Sequence, residues 1–247
     1  MKLNVTWHRS HPMPENPTLE QRIHWHLEHA GVCGCREIPA KLIAELHRRN
    51  LTIPTPPNSA ENSTDFDLGK LDALSPKVKY GFAKQLLQIA LRSPEFLYPH
   101  FSRWHQMLEG ENQILQWTAI DLMGRLARVD RFGKVESELP RLLSFLHSGH
   151  LITTAHAIEA LGQIAKEKPG LKSLILSELL AVPEDDFDST ECREIAIGKV
   201  VEMLGSFPNE VKDLPEAMVL VQRACQSTRN ATAKKGGKLR NQIAKLM

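Results

Sequence analysis

The chain has 247 residues, of which 42% are apolar and 24% are charged, and its 31 lysines and arginines nearly balance its 29 acids. This composition excludes an intrinsically disordered chain, and no apolar run approaches the roughly 18 residues that a membrane-spanning helix needs. An aromatic content of 6% disfavours an aromatic-rich β-sandwich. Four cysteines are too few for a disulfide scaffold and the first 16 residues lack the apolar stretch of a signal peptide, so we expect a cytoplasmic protein with reduced thiols.

The near-neutral total charge hides an uneven distribution along the chain. Residues 51–211 carry 16 basic and 22 acidic side chains, whereas residues 212–247 carry 8 and 2. From residue 229 to residue 245 there are six cations and no acid. We therefore expect the C-terminal end of the chain to attract an anion.

Residues 1–51 predict a small N-terminal module of two helices. Asn16 or Thr18 can cap the first helix, and Gly31 is expected to end it. Pro39 opens the second helix, because proline suits the first turn of a helix. The apolar stripe of the first helix is formed by Leu19, Ile23 and Leu27.

Residues 52–68 predict a linker. They read TIPTPPNSAENSTDFDL, with three prolines, many Asn, Ser and Thr residues, and few apolar side chains. Such clusters separate periodic segments rather than forming them. We therefore place the N-terminal module at 1–51 and a second domain at 69–247.

Residues 69–247 predict a long array of amphipathic helices with an internal period. The best internal match aligns QWTAIDLMGRLAR at 116–128 with TAHAIEALGQIAK at 154–166, an offset of 38 residues. A shorter partner helix is predicted between successive segments, at about Pro94–Leu108, Glu136–His147, Leu171–Val182 and Glu210–Cys225. Pro99, Pro140 and Pro215 lie in or near the starts of three of these helices, where a proline either starts or bends the helix. Five longer segments begin 36, 39, 39 and 40 residues apart, at Ser75–Arg92, Glu111–Arg128, His150–Glu167, Ser189–Ser206 and Arg229–Leu246.

A two-helix unit of about 39 residues cannot bury its apolar face alone, so neighbouring units stack and share a continuous core. Gly124 and Gly162, with Ala127 and Ala165, are small enough to let adjacent helix backbones approach. We therefore predict an all-α fold in which an α-α superhelix, a solenoid of about four to five two-helix repeats, follows the N-terminal module. An ordinary helical bundle is the alternative.

Residues from about 70 to 247 resemble the HEAT and HEAT-like family of armadillo-type helical repeats. LSPKVK at 74–79 looks like the family's turn into its second helix, and AIDLMGRLA and AIEALGQIA look like the second helix itself. The turn aspartate and helix arginine usual in that family are mostly missing. The resemblance implies a surface for another macromolecule, in the first place a protein partner, rather than an enzyme.

The densest polar cluster is RIHWHLEHAGVCGCRE at residues 22–37. On a helix that continues slightly beyond residue 30, His26, His29 and Cys33 share one face, and Cys35 follows closely. Two imidazoles and two thiolates form a ligand set that zinc accepts, although structural zinc sites usually separate their cysteines by at least two residues. Cys33 beside His29 lacks the third, orienting group of a catalytic thiol. Two hypotheses remain, a zinc site or a reduced thiol pair with surface histidines and no cofactor.

Corresponding helical positions predict polar columns along the array. The functional interpretation is a binding groove with Trp117 as an anchor, and the alternative is a set of solvated helix faces. The two columns are Lys84, Asp121 and Glu159, and Gln88, Arg125 and Gln163. The resulting groove candidates are Trp117, Asp121, Arg125, Arg128, Glu159 and Gln163.

One enzymatic resemblance involves the same residues. HEAT-like alkylpurine DNA glycosylases carry an aromatic residue and an acid on the concave face, and Trp117 and Asp121 look like this pair, with Arg125 or Arg128 able to approach DNA. The next repeat offers His156 where a cation is expected, and 2 Tyr cannot complete the aromatic cage. Motifs for nucleotide binding, zinc proteolysis and serine hydrolysis are absent from the sequence, and no catalytic residue is assigned.

The basic C-terminal helix supplies the candidates for binding an anion or nucleic acid. Lysine and arginine without neighbouring acids attract phosphate, although a terminal repeat also needs a polar outer face for solubility. These candidates are Lys234, Lys235, Lys238 and Arg240. We therefore expect a non-enzymatic scaffold that presents a groove to a protein partner. The alternative is a nucleic-acid-binding HEAT-like protein, including an alkylpurine glycosylase-like repair enzyme.

Overall fold

A computed structural model describes residues 5–32, 38–49, 51 and 66–246. The chain divides into two compact units, Met1–Gly69 and Lys70–Met247. Within the described residues every regular element is a helix and there is no strand, which confirms the predicted all-α class. None of the described helices is long and apolar enough to cross a membrane. Most of the predicted linker, 52–68, lies outside the described residues.

Within its described residues the first unit contains three α-helices, α1 (Val5–Ser10), α2 (Leu19–Val32) and α3 (Ala40–Arg48). Thr18 caps α2 through a reciprocal pair of hydrogen bonds, because its Oγ1 accepts from the N–H of Gln21 and its own N–H donates to Gln21 Oε1. Ile23 of α2 is buried with two leucines of α3, Leu42 and Leu46. This apolar contact between two short helices forms the core of the unit.

The second unit contains twelve α-helices within its described residues, joined by short turns and single turns of 3₁₀-helix. In chain order they are α4 (Pro76–Arg92), α5 (Pro94–Leu97), α6 (Phe101–Glu109), α7 (Gln113–Leu126), α8 (Lys134–Ser137), α9 (Leu139–Leu146), α10 (Leu151–Glu167), α11 (Lys172–Ala181), α12 (Thr190–Leu204), α13 (Pro208–Val211), α14 (Pro215–Cys225) and α15 (Asn230–Ala244). We call α4, α7, α10, α12 and α15 the stacked helices, and α6, α9, α11 and α14 the flanking helices.

The five stacked helices fall inside the five segments that the sequence period predicts. Local signals fix their starts. The side chain of Asn112 accepts a hydrogen bond from the N–H of Leu115 at the start of α7, and Ser189 does the same for Cys192 at the start of α12. Each stacked helix packs against the next, and the flanking helices pack against the stacked ones.

Three of the four partner helices are interrupted, and Pro99, Pro140 and Pro215 each lie in the first turn of a new helical segment. The expected helices Pro94–Leu108 and Glu210–Cys225 are each interrupted, by a 3₁₀ turn at Tyr98–His100 and by a break before Pro215. The helix expected at Glu136–His147 breaks at Glu138, two residues before Pro140. Proline lacks the N–H that would continue the helical hydrogen-bond pattern, so of the two expected effects the structure shows a new start rather than a bend.

Glycines allow the stacked helices to approach closely. A Cβ on Gly124 of α7 would lie 2.8 Å from the Cα of Ala160 on α10, and a Cβ on Gly162 of α10 would overlap the side chain of Met203 on α12. A Cβ on Gly198 of α12 would likewise lie 2.8 Å from Oγ1 of Thr232 on α15. The sequence indicated the first two contacts, whereas Gly198 was missed.

A buried carboxylate ties successive helix pairs together. Asp130 follows α7, and its side chain has no exposed surface. Its Oδ1 accepts hydrogen bonds from the Tyr98 hydroxyl at 2.6 Å and from the N–H of Lys134 at 2.8 Å. Its Oδ2 lies 2.8 Å from the Nζ of Lys168, which follows α10. One acid therefore joins three consecutive parts of the array.

Candidate binding surface

Four side chains of the predicted groove region form a cluster across α7 and α10. The indole N–H of Trp117 donates to Thr153 Oγ1 at 3.0 Å, and its ring lies parallel to that of His156, with centroids 5.7 Å apart. The Nδ1 of His156 lies 2.8 Å from Asp121 Oδ1. Because an ionised carboxylate only accepts hydrogen bonds, His156 donates this one. The contacts of this cluster join α7 to α10.

These contacts engage the aromatic ring and the carboxylate that a base-excision site would need to present to DNA. His156 covers one face of the Trp117 ring, and the Asp121 side chain is only 17% exposed and engaged by His156. Arg128 is exposed, whereas Arg125 is half-buried with an Nε that makes no hydrogen bond among the described residues. The cluster therefore serves helix packing more directly than recognition of a base.

The remaining groove candidates lie on α10. Gln163 donates from its Nε2 to Glu159 Oε1 at 3.1 Å, and its own Oε1 lies beside Gly124 of α7. Glu159 is exposed and borders a depression in the surface. Gln163 thus contacts Glu159 within α10 and the backbone of α7 at Gly124.

Two depressions flank α12 and share Glu202 and Ser206. Both are small, about 200 and 170 Å³, and both have charged rims. The first lies between α10 and α12, and its lining residues are Ala155, Ile158, Glu159, Lys166, Lys199, Glu202, Met203 and Ser206. The second lies between α12 and α15, and its lining residues are Val201, Glu202, Gly205, Ser206, Lys235, Lys238, Leu239 and Gln242.

Lysines dominate the charge of this double depression. Lys235 Nζ lies 2.6 Å from Glu202 Oε2. Its hydrogen bond lowers the pKa of Glu202 despite partial burial, and the charges of Lys199 and Lys238 lower that pKa further. Lys166, Lys199 and Lys238 themselves form no ion pair within the described part of the chain. The surface that these two depressions form beside α12 therefore has four lysines against two glutamates, an excess of positive charge. We call it the lysine groove.

The C-terminal cations divide between this groove and the rest of the helix. Lys235 and Lys238 line it, whereas Lys234 and Arg240 are exposed on α15 and line neither depression. Lys166 and Lys199 were missed as anion candidates. The sequence has one of these lysines in each of two successive predicted segments, and only the packing of α10 on α12 brings the two lysines to one face.

A larger depression, of about 710 Å³, lies among the flanking elements α11, α13 and α14. Leu176, Leu180 and Leu214 contribute apolar walls. The one lysine that lines it, Lys172, is paired with Glu210 at 2.7 Å. Size alone favours this depression, but apart from this ion pair Glu216 is the one charged residue that lines it, so the lysine groove, with three lysines outside ion pairs, has the stronger indication of a charged ligand.

The predicted zinc cluster is only partly described. His26 and His29 are buried in the first unit, and Cys33 and Cys35 lie outside the described residues. The His29 ring lies parallel to that of Trp25, with centroids 4.8 Å apart, and the Trp25 N–H donates to the carbonyl oxygen of His11 at 2.8 Å. Among the residues that can be described, no three histidines, cysteines or acids converge as metal ligands. Aromatic packing thus occupies this side of α2.

Comparison of the chain with protein-family models, with curated proteins and with solved structures gives no match.

Proposed function

We propose that the second unit is a HEAT-like α-solenoid and that the chain is a non-enzymatic binding protein. Its partner, a protein, lies across the exposed face of the stacked helices. The regular succession of stacked helices with glycine contacts supports the repeat architecture. The lysine groove is the observation that carries the binding function, because three of its lysines form no ion pair within the described residues.

Mixed charge at the groove supports a protein partner. Glu159 and Glu202 line it together with the lysines. Acidic groups accept hydrogen bonds from peptide N–H groups, whereas they repel the phosphates of a nucleic acid. A protein surface presents both kinds of group, so it can satisfy both signs of charge in the groove.

Site-specific photo-crosslinking tests this proposal. A photoreactive residue is introduced at Ser206, which borders both depressions, and a matched one at Lys77, an exposed position in the first turn of α4. In cells that produce the protein, we expect a discrete polypeptide adduct from Ser206 and none from Lys77. Equal adducts at both positions, or adducts to nucleic acid alone, would contradict the proposal.

The same lysines favour nucleic-acid binding as the second candidate function. Phosphate contacts release counterions, so such binding weakens steeply with salt. We would then expect the chain to be retained on duplex DNA at low salt and lost at moderate salt. Absence of retention even at low salt removes this candidate.

A further inference from the structure

The depression of about 710 Å³ among α11, α13 and α14 is a second surface, which shares no lining residue with the lysine groove. We call it the flanking groove. One wall is a single face of α11, because the lining residues of this helix recur at intervals of three and four. They are Lys172, Ser173, Leu176, Ser177, Leu180 and Ala181. Since they extend from the first to the last residue of α11, this wall is about 14 Å long.

Leucines form the apolar part of the flanking groove. Leu176 is buried, whereas Leu180 and Leu214 are half-buried and keep part of their surface open to solvent. Val219 lies one turn after Glu216 on α14 and is 69% exposed, so apolar surface continues beyond the lining residues. Apolar side chains of another molecule would remove this surface from water, which is the main driving force of protein association.

The charge that is free to meet a ligand in the flanking groove is acidic. One lysine and two glutamates line it, a net charge of −1. Lys172 and Glu210 neutralise each other at 2.7 Å. Glu216 is exposed in the first turn of α14 and forms no ion pair within the described part of the chain. A basic residue of the ligand beside Glu216 would therefore complement the groove.

The walls of the flanking groove discriminate between the ways in which proteins recognise peptides. Addition of a strand needs a free sheet edge, whereas these walls are helices that bond their own backbone groups. Grooves for polyproline II segments are lined by aromatic residues, and sites for phosphorylated or acidic motifs are lined by arginines. The described residues that line this groove include neither type. A helix that lays its apolar side in the groove is compatible with these walls, because it satisfies its own backbone hydrogen bonds.

We infer that the flanking groove binds an amphipathic helix of a partner protein. The helix lies along α11, with apolar residues at intervals of three and four against the leucines and with a lysine or arginine beside Glu216. This inference goes beyond the proposed function, since it concerns a second surface and does not depend on the lysine groove.

Peptide selection tests the inference on the full chain. A phage-displayed library of random sixteen-residue peptides is depleted on the variant Leu180→Glu and then selected on the wild type. Glu216→Lys replaces that variant if far-UV circular dichroism shows that Leu180→Glu is not folded. We expect the enriched peptides to share apolar residues at intervals of three and four, together with a lysine or arginine. Enrichment of alternating, proline-rich or acidic sequences, or no enrichment over the library, overturns the inference.

Fluorescence anisotropy with an enriched, labelled peptide locates the binding. Glu216→Lys should weaken it about tenfold or more, and Glu216→Gln about threefold, because reversal adds repulsion to the loss of attraction. Glu95→Lys is the matched control, since Glu95 is also exposed and also follows a proline at the start of a helix, outside the groove. It should change the dissociation constant less than twofold, as should Lys199→Gln in the lysine groove. Equal losses in Glu216→Lys and either control overturn the inference.

Far-UV circular dichroism tests the conformation of the bound peptide. The spectrum of the mixture should exceed the sum of its components in helical signal, because the peptide becomes helical in the groove. A peptide that binds without any gain in helical signal overturns the inference. Neither result alters the crosslinking expected at Ser206, which does not line the flanking groove.

Discussion

Replacement of Asp130 probes how the helix pairs of the second unit are held together. Its carboxylate has no exposed surface and joins the Tyr98 hydroxyl, the N–H of Lys134 and the ammonium of Lys168. Asp130→Asn keeps an oxygen acceptor for Tyr98 and Lys134 but loses the charge that faces Lys168. Asp130→Ala loses all three contacts.

The structure sets the size of the two effects. A hydrogen bond to a charged group contributes about 1.5–3 kcal/mol, and removing one partner of a buried ion pair costs about 3–5 kcal/mol. We therefore expect Asp130→Asn to lower the free energy of unfolding by about 1.5–3 kcal/mol, and Asp130→Ala by about 3–5 kcal/mol. Each kcal/mol corresponds to about 2–4 °C in Tm for a unit of this size.

The effect should also depend on pH. Burial raises the pKa of Asp130, but hydrogen bonds from Lys168, from Tyr98 and from the N–H of Val135 outweigh it and hold the pKa below its ordinary value of 3.8. A carboxyl with a lower pKa in the folded state stabilises the fold above the unfolded-state pKa and loses this contribution as the pH falls through the folded value. The gap between wild type and Asp130→Asn should therefore be constant near neutral pH and shrink below about pH 4.

Urea unfolding followed by far-UV circular dichroism measures these differences. Asp213→Asn is the matched control, because this side chain is 76% exposed and its nearest cation, Lys212, is 4.0 Å away. The control should change stability by less than about 0.5 kcal/mol. If Asp130→Asn unfolds like the control at neutral pH, or if its deficit persists undiminished at pH 3, the reasoning from the buried pair is refuted.

Two further predictions concern single positions in each unit. Gly236→Ala should destabilise the second unit by about 1–3 kcal/mol, because a Cβ there would lie 2.7 Å from a backbone nitrogen of α14. Its neighbour Gly237 has open space, so Gly237→Ala should stabilise by about 0.5–1 kcal/mol, and effects of the same sign in urea unfolding would contradict the packing. In the first unit, hydrogen bonds from Arg48 and Arg49 lower the pKa of Glu45 to about 2. Arg48→Ala should raise the carboxyl midpoint in an NMR titration, and an unmoved midpoint would exclude this pairing.

Much of the helical framework could be read from the sequence because its signals are local. Apolar spacing and cap residues such as Ser189 act within one or two turns, and the five predicted segments each contain a stacked helix. The 38-residue match also identified Gly124 and Gly162 as contact points. Gly198 was missed because its helix does not have its glycine at the position that this offset predicts. Its role could be recognised only from the residue of α15 that it contacts.

The candidate site was less predictable, since charge and polarity alone do not show which groups already have partners. Asp121 and Trp117 were correctly marked as polar and aromatic neighbours on α7, but only the packing of α10 shows that His156 engages both. The basic C-terminal run suggested a local anion site. In the folded chain, Lys235 and Lys238 of this run line the lysine groove, whereas Lys234 and Arg240 lie on the exposed surface outside it.

By itself, the sequence determined the all-helical class, the position of each stacked helix and the polarity of charge along the chain. These properties depend on residues that are near each other in the chain. Only the tertiary structure decided that Lys166, Lys199 and Lys238 line two depressions on either side of α12, and that Asp130 is buried among three partners. The reason is that these lysines, and Asp130 with Tyr98 and Lys168, lie more than thirty residues apart in the chain, so their distances are set by helix packing.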